Sequence, residues 1–112
     1  MITDQLLRTY PIISDQVDER ELRVLLRELE RLLKAGCPGS VVEFGCYVGT
    51  TSLFIRRLLD AYRHAGAFHV YDSFAGLPEK TAQDVSAAGE QFVAGGLAAT
   101  RKGFLQQFKK AG

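Results

Sequence analysis

One stretch constrains the fold of this chain more than any other, the segment VVEFGCYVGTTS at residues 41–52. A short apolar run ends in the acidic Glu43, and two glycines, Gly45 and Gly49, follow four residues apart. A cluster of hydroxyl side chains then opens a segment with helical hydrophobic spacing. This order predicts a buried strand, a glycine turn and a helix start, the first βα corner of a nucleotide-binding type of α/β fold.

Composition excludes several classes of protein. The chain has 112 residues, which is one domain at most, and its net charge of +1 gives no electrostatic footprint for nucleic acid. No apolar run approaches the ~20 residues of a membrane span, and the N-terminus lacks a secretion signal. The two cysteines, Cys37 and Cys46, match no CxxC spacing. We therefore expect a cytoplasmic protein without disulfide or metal site, and with neither nucleic acid nor membrane as partner.

The chain divides into three parts, residues 1–17, 18–36 and 40–112. The first is weakly patterned, with a short helix expected over residues 4–8. The second is an amphipathic helix with a face of leucines at helical spacing. These leucines are Leu22, Leu25, Leu26, Leu29, Leu32 and Leu33. The leucine face either packs on the chain's own core or forms a dimer seam.

The third part has the pattern of a β–α–β unit. Residues 40–44 and 67–71 are apolar runs of strand length, and the helical spacing of residues 50–65 lies between them. Because a crossover of helical length joins the strands, they are expected to be parallel with a right-handed connection. The fold class is therefore α/β: an N-terminal helix, a β–α–β unit and a further helix, forming a partial Rossmann-like fold whose sheet is incomplete.

The ends of the helices in this part follow from capping residues. Thr50 or Thr51 is expected to cap the first helix, and Gly66 is expected to stop it. Residues 79–97 are polar and rich in small side chains, which predicts a long loop of the kind that is usually functional or mobile. Thr100 is then expected to cap a last helix. Its apolar face is formed by Phe104, Leu105 and Phe108.

Three types of cofactor site use a glycine turn between a strand and a helix. A phosphate-binding P-loop needs a lysine after its last glycine, and Thr50 stands there, so this interpretation fails. A dinucleotide fingerprint needs a middle glycine so that the pyrophosphate can approach the backbone. Tyr47 occupies that position. A dinucleotide is therefore disfavoured, but it stays open as an alternative.

S-adenosylmethionine (SAM) fits the turn best because it carries no phosphate. Its carboxylate suits a helix N-terminus, and Glu43, at the end of the first strand, is placed to accept from its ammonium group. Its ribose needs a carboxylate that accepts from two hydroxyls, and Asp72 ends the second strand. Ligands bind at the carboxyl ends of the strands in such sheets. The alternatives are that Glu43 caps local amides and that Asp72 begins an Asx-turn before Ser73.

The chain resembles class I SAM-dependent methyltransferases, and among them the macrocin O-methyltransferase-like (TylF-type) group, which methylates sugar hydroxyls on natural products. The similarity covers about residues 20–112 and rests on CPGSVVEFGCYVGTTS, HVYDSFAGLPE and FVAGGLAAT, of which the tract DSFAGLP is the most specific. The resemblance implies that SAM is bound at its methionine part and at its ribose. The implied residues are Glu43, Gly45, Cys46, Tyr47 and Gly49 for the methionine part, and Asp72 and Ser73 for the ribose.

The resemblance also implies parts that this chain does not supply. Members of the group have larger sheets than the two strands predicted here, so we expect the N-terminal part of an O-methyltransferase, inactive alone. The site for a small-molecule acceptor, any catalytic base and the ligands of a divalent metal such as Mg²⁺ would lie in later strands. We assign no catalytic residue. His64 is expected to contact the last carbonyls of its helix and His69 to be packed within a strand.

Two other functions stay open. One is a non-catalytic module that oligomerises through its open sheet edges and its leucine-rich helix. The other is a dinucleotide-binding Rossmann module.

Two further expectations concern the loop and the assembly. The resemblance places the 79–97 loop over the cofactor or acceptor pocket. We also expect the protein to form a homo-oligomer.

Overall fold

The computed structural model describes residues 1–78 and 95–111 of the chain. These ranges contain helices and strands in the order that the sequence predicts. The elements are α1 (Ile2–Thr9), α2 (Glu19–Lys34), β1 (Val41–Phe44), α3 (Thr50–Ala61), β2 (Phe68–Tyr71) and α4 (Arg101–Ala111). No helix within the described ranges is long and apolar enough to cross a membrane. Residues 79–94, which hold most of the predicted loop, lie outside the described part.

The two strands form a parallel sheet and are connected through α3. Val41 lies opposite Phe68, and Phe44 lies opposite Tyr71, so the strands pair over their whole length. The amide of Gly45 adds one more hydrogen bond, of 2.7 Å, to the carbonyl of Tyr71. The predicted β–α–β unit is confirmed, and the carboxyl ends of both strands meet at one edge of the sheet.

The core lies on one face of this sheet. Val41 and Phe68 point to that side and pack against buried residues from α1, α2 and α3. The buried members of the core are Leu7, Leu22, Leu26, Phe54, Ile55, Leu58 and Leu59. The side chains alternate along each strand, so the opposite face carries the remaining residues. That second face is exposed, and Phe44 on it retains 81% of its accessible surface.

The leucine face of α2 is divided between core and surface. Most of its members contact the core, as predicted: Leu22, Leu26, Leu29 and Leu33. Leu25 and Leu32 are exposed instead. The interpretation as a core-packing helix is therefore confirmed, while these two leucines leave an apolar strip at the surface.

The ends of α3 differ from the prediction. The N-cap residue is Gly49, whose backbone is left-handed (φ 97°), and no side chain caps the helix. Neither Thr50 nor Thr51 therefore serves as the cap. The helix ends at Ala61, well before Gly66, and Arg63 adopts the left-handed conformation that helix ends more often give to glycine.

Gly66 has a packing role rather than a role in stopping the helix. A Cβ atom at this position would lie 1.9 Å from the carbonyl oxygen of Gly39, so only glycine allows the turn before β1 to approach. The Nε2–H of His64 donates to the same carbonyl at 2.7 Å. The prediction that His64 contacts the last carbonyls of its helix holds for its amide, which donates to the carbonyl of Leu59 at 2.9 Å, but its ring binds this turn instead. His69 is likewise not packed in the core: it is exposed and stacks on Tyr71.

The start of α4 agrees with the prediction, and its apolar face agrees only in part. The amide of Gly103 donates to the Thr100 hydroxyl at 3.0 Å, which confirms the predicted cap. Phe104 is buried and Phe108 is half-buried, with their ring centroids 5.0 Å apart. Leu105 is exposed, so the apolar face is narrower than predicted.

A buried carboxylate fixes α1 to the core. Glu30 of α2 has no exposed surface and accepts hydrogen bonds from the amides of Ile2 (2.9 Å) and Thr3 (3.1 Å). It also accepts from the hydroxyl of Tyr62, just after α3. Burial opposes the charge, but the donors outweigh it and hold the pKa of Glu30 below its ordinary value. One side chain thus joins three helical segments.

Replacing Glu30 by alanine should lower the free energy of unfolding by about 2–3 kcal/mol, because three donors lose their acceptor. Urea denaturation at pH 7 measures this value. Since the folded-state pKa is lowered, the contribution of Glu30 is present above the unfolded value of 4.5 and is lost as pH falls through the folded value. Glu28→Ala is the control, because the exposed Glu28 pairs, among the residues described, with Arg31 alone. An equal decrease in the free energy of unfolding in both variants would contradict the role of Glu30.

Candidate functional site

The glycine turn between β1 and α3 is organised around the carboxylate of Asp72, at the end of β2. Its Oδ2 accepts hydrogen bonds from the amides of Cys46 at 2.8 Å and Tyr47 at 3.3 Å. Its Oδ1 accepts from the amide of Phe74 at 2.8 Å. The amide of Gly49 donates to the carbonyl of Cys46 at 2.8 Å and closes the turn. Asp72 thus connects the ends of both strands through one side chain.

These backbone amides stabilise the ionised form of Asp72. Partial burial opposes ionisation, but the hydrogen bonds from Phe74, Cys46 and Tyr47 outweigh it, and the pKa of Asp72 lies below its ordinary value of 3.8. The bond from Phe74 forms the Asx-turn that was the alternative interpretation of this residue. A carboxylate has about four acceptor positions, and three are filled here. The described amides leave one acceptor position of Asp72 for other donors, and the thiol of Cys46 is near enough to use it.

Glu43, at the end of β1, accepts a hydrogen bond from the hydroxyl of Ser52 in α3. Its partner is therefore a side chain of the next helix rather than a local amide. Burial raises the pKa of Glu43 more than the Ser52 bond lowers it, and the charge of Asp72 raises it further. A buried carboxylate that is costly to ionise is typical of a functional position.

The thiol of Cys46 is not a nucleophile at neutral pH. Burial, followed by the charges of Asp72 and Glu43, raises the pKa of Cys46 to about 12. Neither Cys46 nor Cys37 forms a disulfide. Cys46 contributes to the turn through its backbone amide.

A cavity of about 960 Å³ opens at the carboxyl edge of the sheet, beside the turn. This volume is at the upper end of the roughly 300–1,000 Å³ of small-molecule sites. The predicted site residues that line it are Gly45, Tyr47, Asp72 and Ser73. Leu97 and Arg101 also line it. Leu97 ends the 79–97 segment that the resemblance places over the pocket, whereas no sequence pattern pointed to Arg101.

The other predicted site residues do not line this cavity. Cys46 is buried, and Glu43 borders a separate groove between α2 and β1. Gly49 is in contact with α4, since a Cβ atom there would lie 2.9 Å from the ring of Phe104. Packing against this ring therefore accounts for a glycine at position 49.

Backbone strain is concentrated around the cavity. Among its lining residues, Tyr47 (φ 47°), Phe74 (φ 57°) and Leu97 (φ 55°) have left-handed backbone although none is glycine. Such a conformation costs about 1–3 kcal/mol per residue and persists where the surrounding structure enforces it. Because strain of this kind clusters at binding sites, it favours this cavity as the functional site.

The chain that leads into the last helix is hydrogen-bonded to the segment that follows β2. The amide of Leu77 donates to the carbonyl of Gly96, and the amide of Gly95 donates to the carbonyl of Leu77, both at 2.8 Å. The ring of Phe104 also contacts that of Phe74, with centroids 6.0 Å apart. The position of residues 79–94 over the pocket stays a prediction, because they lie outside the described part. Within that part, no His, Cys, Asp or Glu residues are grouped as in a metal site.

Replacing Asp72 by asparagine should lower the free energy of unfolding by about 1–2 kcal/mol, because only one oxygen remains to accept from the converging amides. Since the folded-state pKa is lowered, the stabilisation is present above the unfolded value of 3.8 and is lost as pH falls through the folded value. Urea denaturation at pH 7 and pH 3.5 measures both effects.

The control for this variant is Asp60→Asn, which removes an exposed carboxylate paired with Arg56. It should change the free energy of unfolding by less than about 0.5 kcal/mol. An Asp72 variant that is as stable as this control at pH 7 would contradict the proposed role of the carboxylate.

Comparison with known proteins identifies the family. The family model described as Macrocin-O-methyltransferase (TylF) matches residues 10–111. The match includes the glycine turn, both strands and all the residues that line the cavity. No curated protein matches the chain. Because the family model covers nearly all of its length, the chain belongs to the macrocin O-methyltransferase (TylF) family.

Proposed function

We propose that this protein acts as a SAM-dependent O-methyltransferase with a Rossmann-like fold, and that the cavity beside the glycine turn binds SAM. Membership of the family supports methyl transfer. The observation that carries the choice of cofactor is the position of Tyr47, which lines the cavity where a dinucleotide fingerprint has its middle glycine. A phosphate-free cofactor avoids the clash between this side chain and a pyrophosphate.

The methionine part of SAM would lie against the turn, close to Gly45 and Tyr47. Helix α3 begins without a side-chain cap, and the positive end of its dipole, behind the turn, would favour the carboxylate of the cofactor. The hydroxyl of Thr50 is buried, and the described residues offer it no hydrogen-bond partner. Glu43 borders a separate groove and does not line the cavity, so we propose that it accepts from the ammonium group through water. A cation nearby would favour the ionised form of this carboxylate.

The ribose would bind beside Asp72 and Ser73. The remaining lone pair of Asp72 accepts from one ribose hydroxyl. The Oγ atom of Ser73 accepts from the amide of Ala75 at 3.2 Å, so its own proton is free to be donated to the other ribose oxygen. This arrangement differs from the simple sequence expectation, in which Asp72 accepts from both hydroxyls.

SAM supplies an activated methyl group, so positioning of the acceptor accounts for much of the rate. We propose a hydroxyl of a sugar or another natural product as the acceptor, in line with the family's name. Such a hydroxyl must lose its proton to a base or to a metal-bound partner. We place the acceptor site, the base and any Mg²⁺ ligands in further strand–helix units of a longer enzyme.

The proposal is tested by NMR of the ¹⁵N-labelled chain, which detects even millimolar affinity. S-adenosylhomocysteine should shift the amides of Gly45, Tyr47, Asp72 and Ser73, and NAD should not. The variant Tyr47→Gly should bind S-adenosylhomocysteine more weakly while unfolding at no lower urea concentration, because glycine relieves the left-handed strain. Shifts with NAD alone, or with neither compound, would overturn the assignment.

Glu43→Gln should raise the free energy of unfolding at pH 7 and weaken S-adenosylhomocysteine binding about tenfold. A raised folded-state pKa stabilises the fold below the unfolded value of 4.5, and this stabilisation is lost as pH rises through the folded value. The variant therefore removes a cost at pH 7 and keeps an acceptor for Ser52. The control is Glu28→Gln, an exposed residue of the same groove. If Glu43→Gln is less stable than the unaltered protein and binds S-adenosylhomocysteine with unchanged affinity, the role of Glu43 is structural only.

Self-association with a second copy is a further candidate role, favoured by one observation. Leu25, Leu32, Val42 and Phe44 are exposed and line a groove along the edge of β1 that faces away from β2. Exposed apolar surface beside an open strand edge is typical of an interaction site. Light scattering that gives a monomer at high protein concentration would exclude this role.

A further inference from the structure

Arg101 is the charged side chain of the cavity that the proposed function leaves without a role. It is the first residue of α4 and lines the cavity together with Asp72 and Leu97. Within the described ranges, the ion pairs of the structure do not include Arg101. A guanidinium group has five donors, so its capacity for hydrogen bonding is large.

The carboxylate of Asp72 does not neutralise this guanidinium. Backbone amides occupy three acceptor positions of Asp72, and hydrogen bonds from Phe74, Cys46 and Tyr47 lower its pKa. Among the described residues, Asp72 and Arg101 do not form an ion pair. The two groups therefore share a cavity without forming a pair.

The surroundings of Arg101 reinforce its positive charge. The sequence of α4, RKGFLQQFKKA, has four basic residues and no acidic one. Arg101 itself is exposed, and the half-buried Leu77 and Leu97 line the same cavity. An anion that enters the cavity meets the five donors of Arg101, while the carboxylate of Asp72, elsewhere in the lining, is held by backbone amides.

We propose that Arg101 binds an anionic group, a carboxylate or a phosphate, of a ligand held in this cavity. Its planar fork suits either group because two parallel hydrogen bonds form at once. The proposal rests on the proposed function only for the identity of the nucleoside ligand. The anion is either the carboxylate of the cofactor's methionine part or an anionic group of a second ligand.

The test compares Arg101→Gln with Lys102→Gln, a matched variant that removes the same charge from the next residue. Lys102 does not line this cavity but a separate surface depression on α4. NMR titrations use S-adenosylhomocysteine, methylthioadenosine, which lacks the amino-acid part, and inorganic phosphate. Arg101→Gln should weaken the binding of at least one anionic probe about fivefold or more, and Lys102→Gln and the methylthioadenosine affinity should not change. Arg101→Lys should restore part of the loss.

The outcomes separate the possible sources of the anion. If Arg101→Gln binds S-adenosylhomocysteine more weakly but methylthioadenosine equally well, the proposal is supported and the anion belongs to the cofactor. A loss for phosphate alone supports it and assigns the anion to a second ligand. Equal losses for both nucleosides, with phosphate unchanged, overturn it, because Arg101 then contacts the adenosine. The proposal is also overturned if Arg101→Gln and Lys102→Gln have the same affinity for every probe.

Failure of the proposed function has a different result. If the unaltered chain binds phosphate through Arg101 but neither nucleoside, the anion site stands and the SAM assignment fails. If the unaltered chain binds none of the probes, both are overturned.

Discussion

Three backbone amides converge on the carboxylate of Asp72, and the shape of the site depends on this interaction. A glycine turn leaves its amides without partners in the sheet, and buried amides need an acceptor. Asp72 supplies that acceptor from the neighbouring strand, at 2.8 Å from Cys46 and Phe74 and at 3.3 Å from Tyr47. The turn, the end of β2 and the segment that follows are therefore positioned by one charged group, and the cavity opens between them.

The same region contains features that cost stability. Glu43 is harder to ionise than an exposed glutamate, and Tyr47, Phe74 and Leu97 have strained backbone. Such costs persist in a folded protein when the surrounding packing enforces them, and they are commonest at binding sites. Here Phe104 provides part of that packing, because its ring lies against Gly49 and contacts Phe74. The stabilising core, which consists of leucines with Phe54 and Ile55, lies elsewhere, where α1, α2 and α3 pack together.

Much of the fold was predictable because it follows from local patterns. Hydrophobic spacing indicated α2 and α3, capping chemistry indicated the start of α4, and the connection length indicated parallel strands. The hydroxyl of Thr100, for example, accepts from the amide of Gly103. Four of the residues that the sequence suggested for a cofactor, Gly45, Tyr47, Asp72 and Ser73, line one cavity, and their binding role stays a prediction.

The features that the sequence did not reveal depend on contacts between distant residues. Glu30 lies 28 residues from the Ile2 amide that it binds, and Gly66 is small because Gly39 approaches it. The cap of α3 was assigned to threonine because hydroxyl residues usually cap helices, but Gly49 is held there by its fit against Phe104. Arg101 reaches the cavity only through the fold of the segment after β2. Neither hydrophobic periodicity nor a sequence motif indicates which residues far apart in the chain lie close together in the fold.

The most direct test of this account is a pH titration of the amide shifts of Cys46, Tyr47 and Phe74 by NMR. If Asp72 organises the turn, the three amides will move together with one midpoint, below the ordinary aspartate value of 3.8. Separate midpoints, or a common midpoint at or above that value, would show that Asp72 does not hold the turn and would contradict the account.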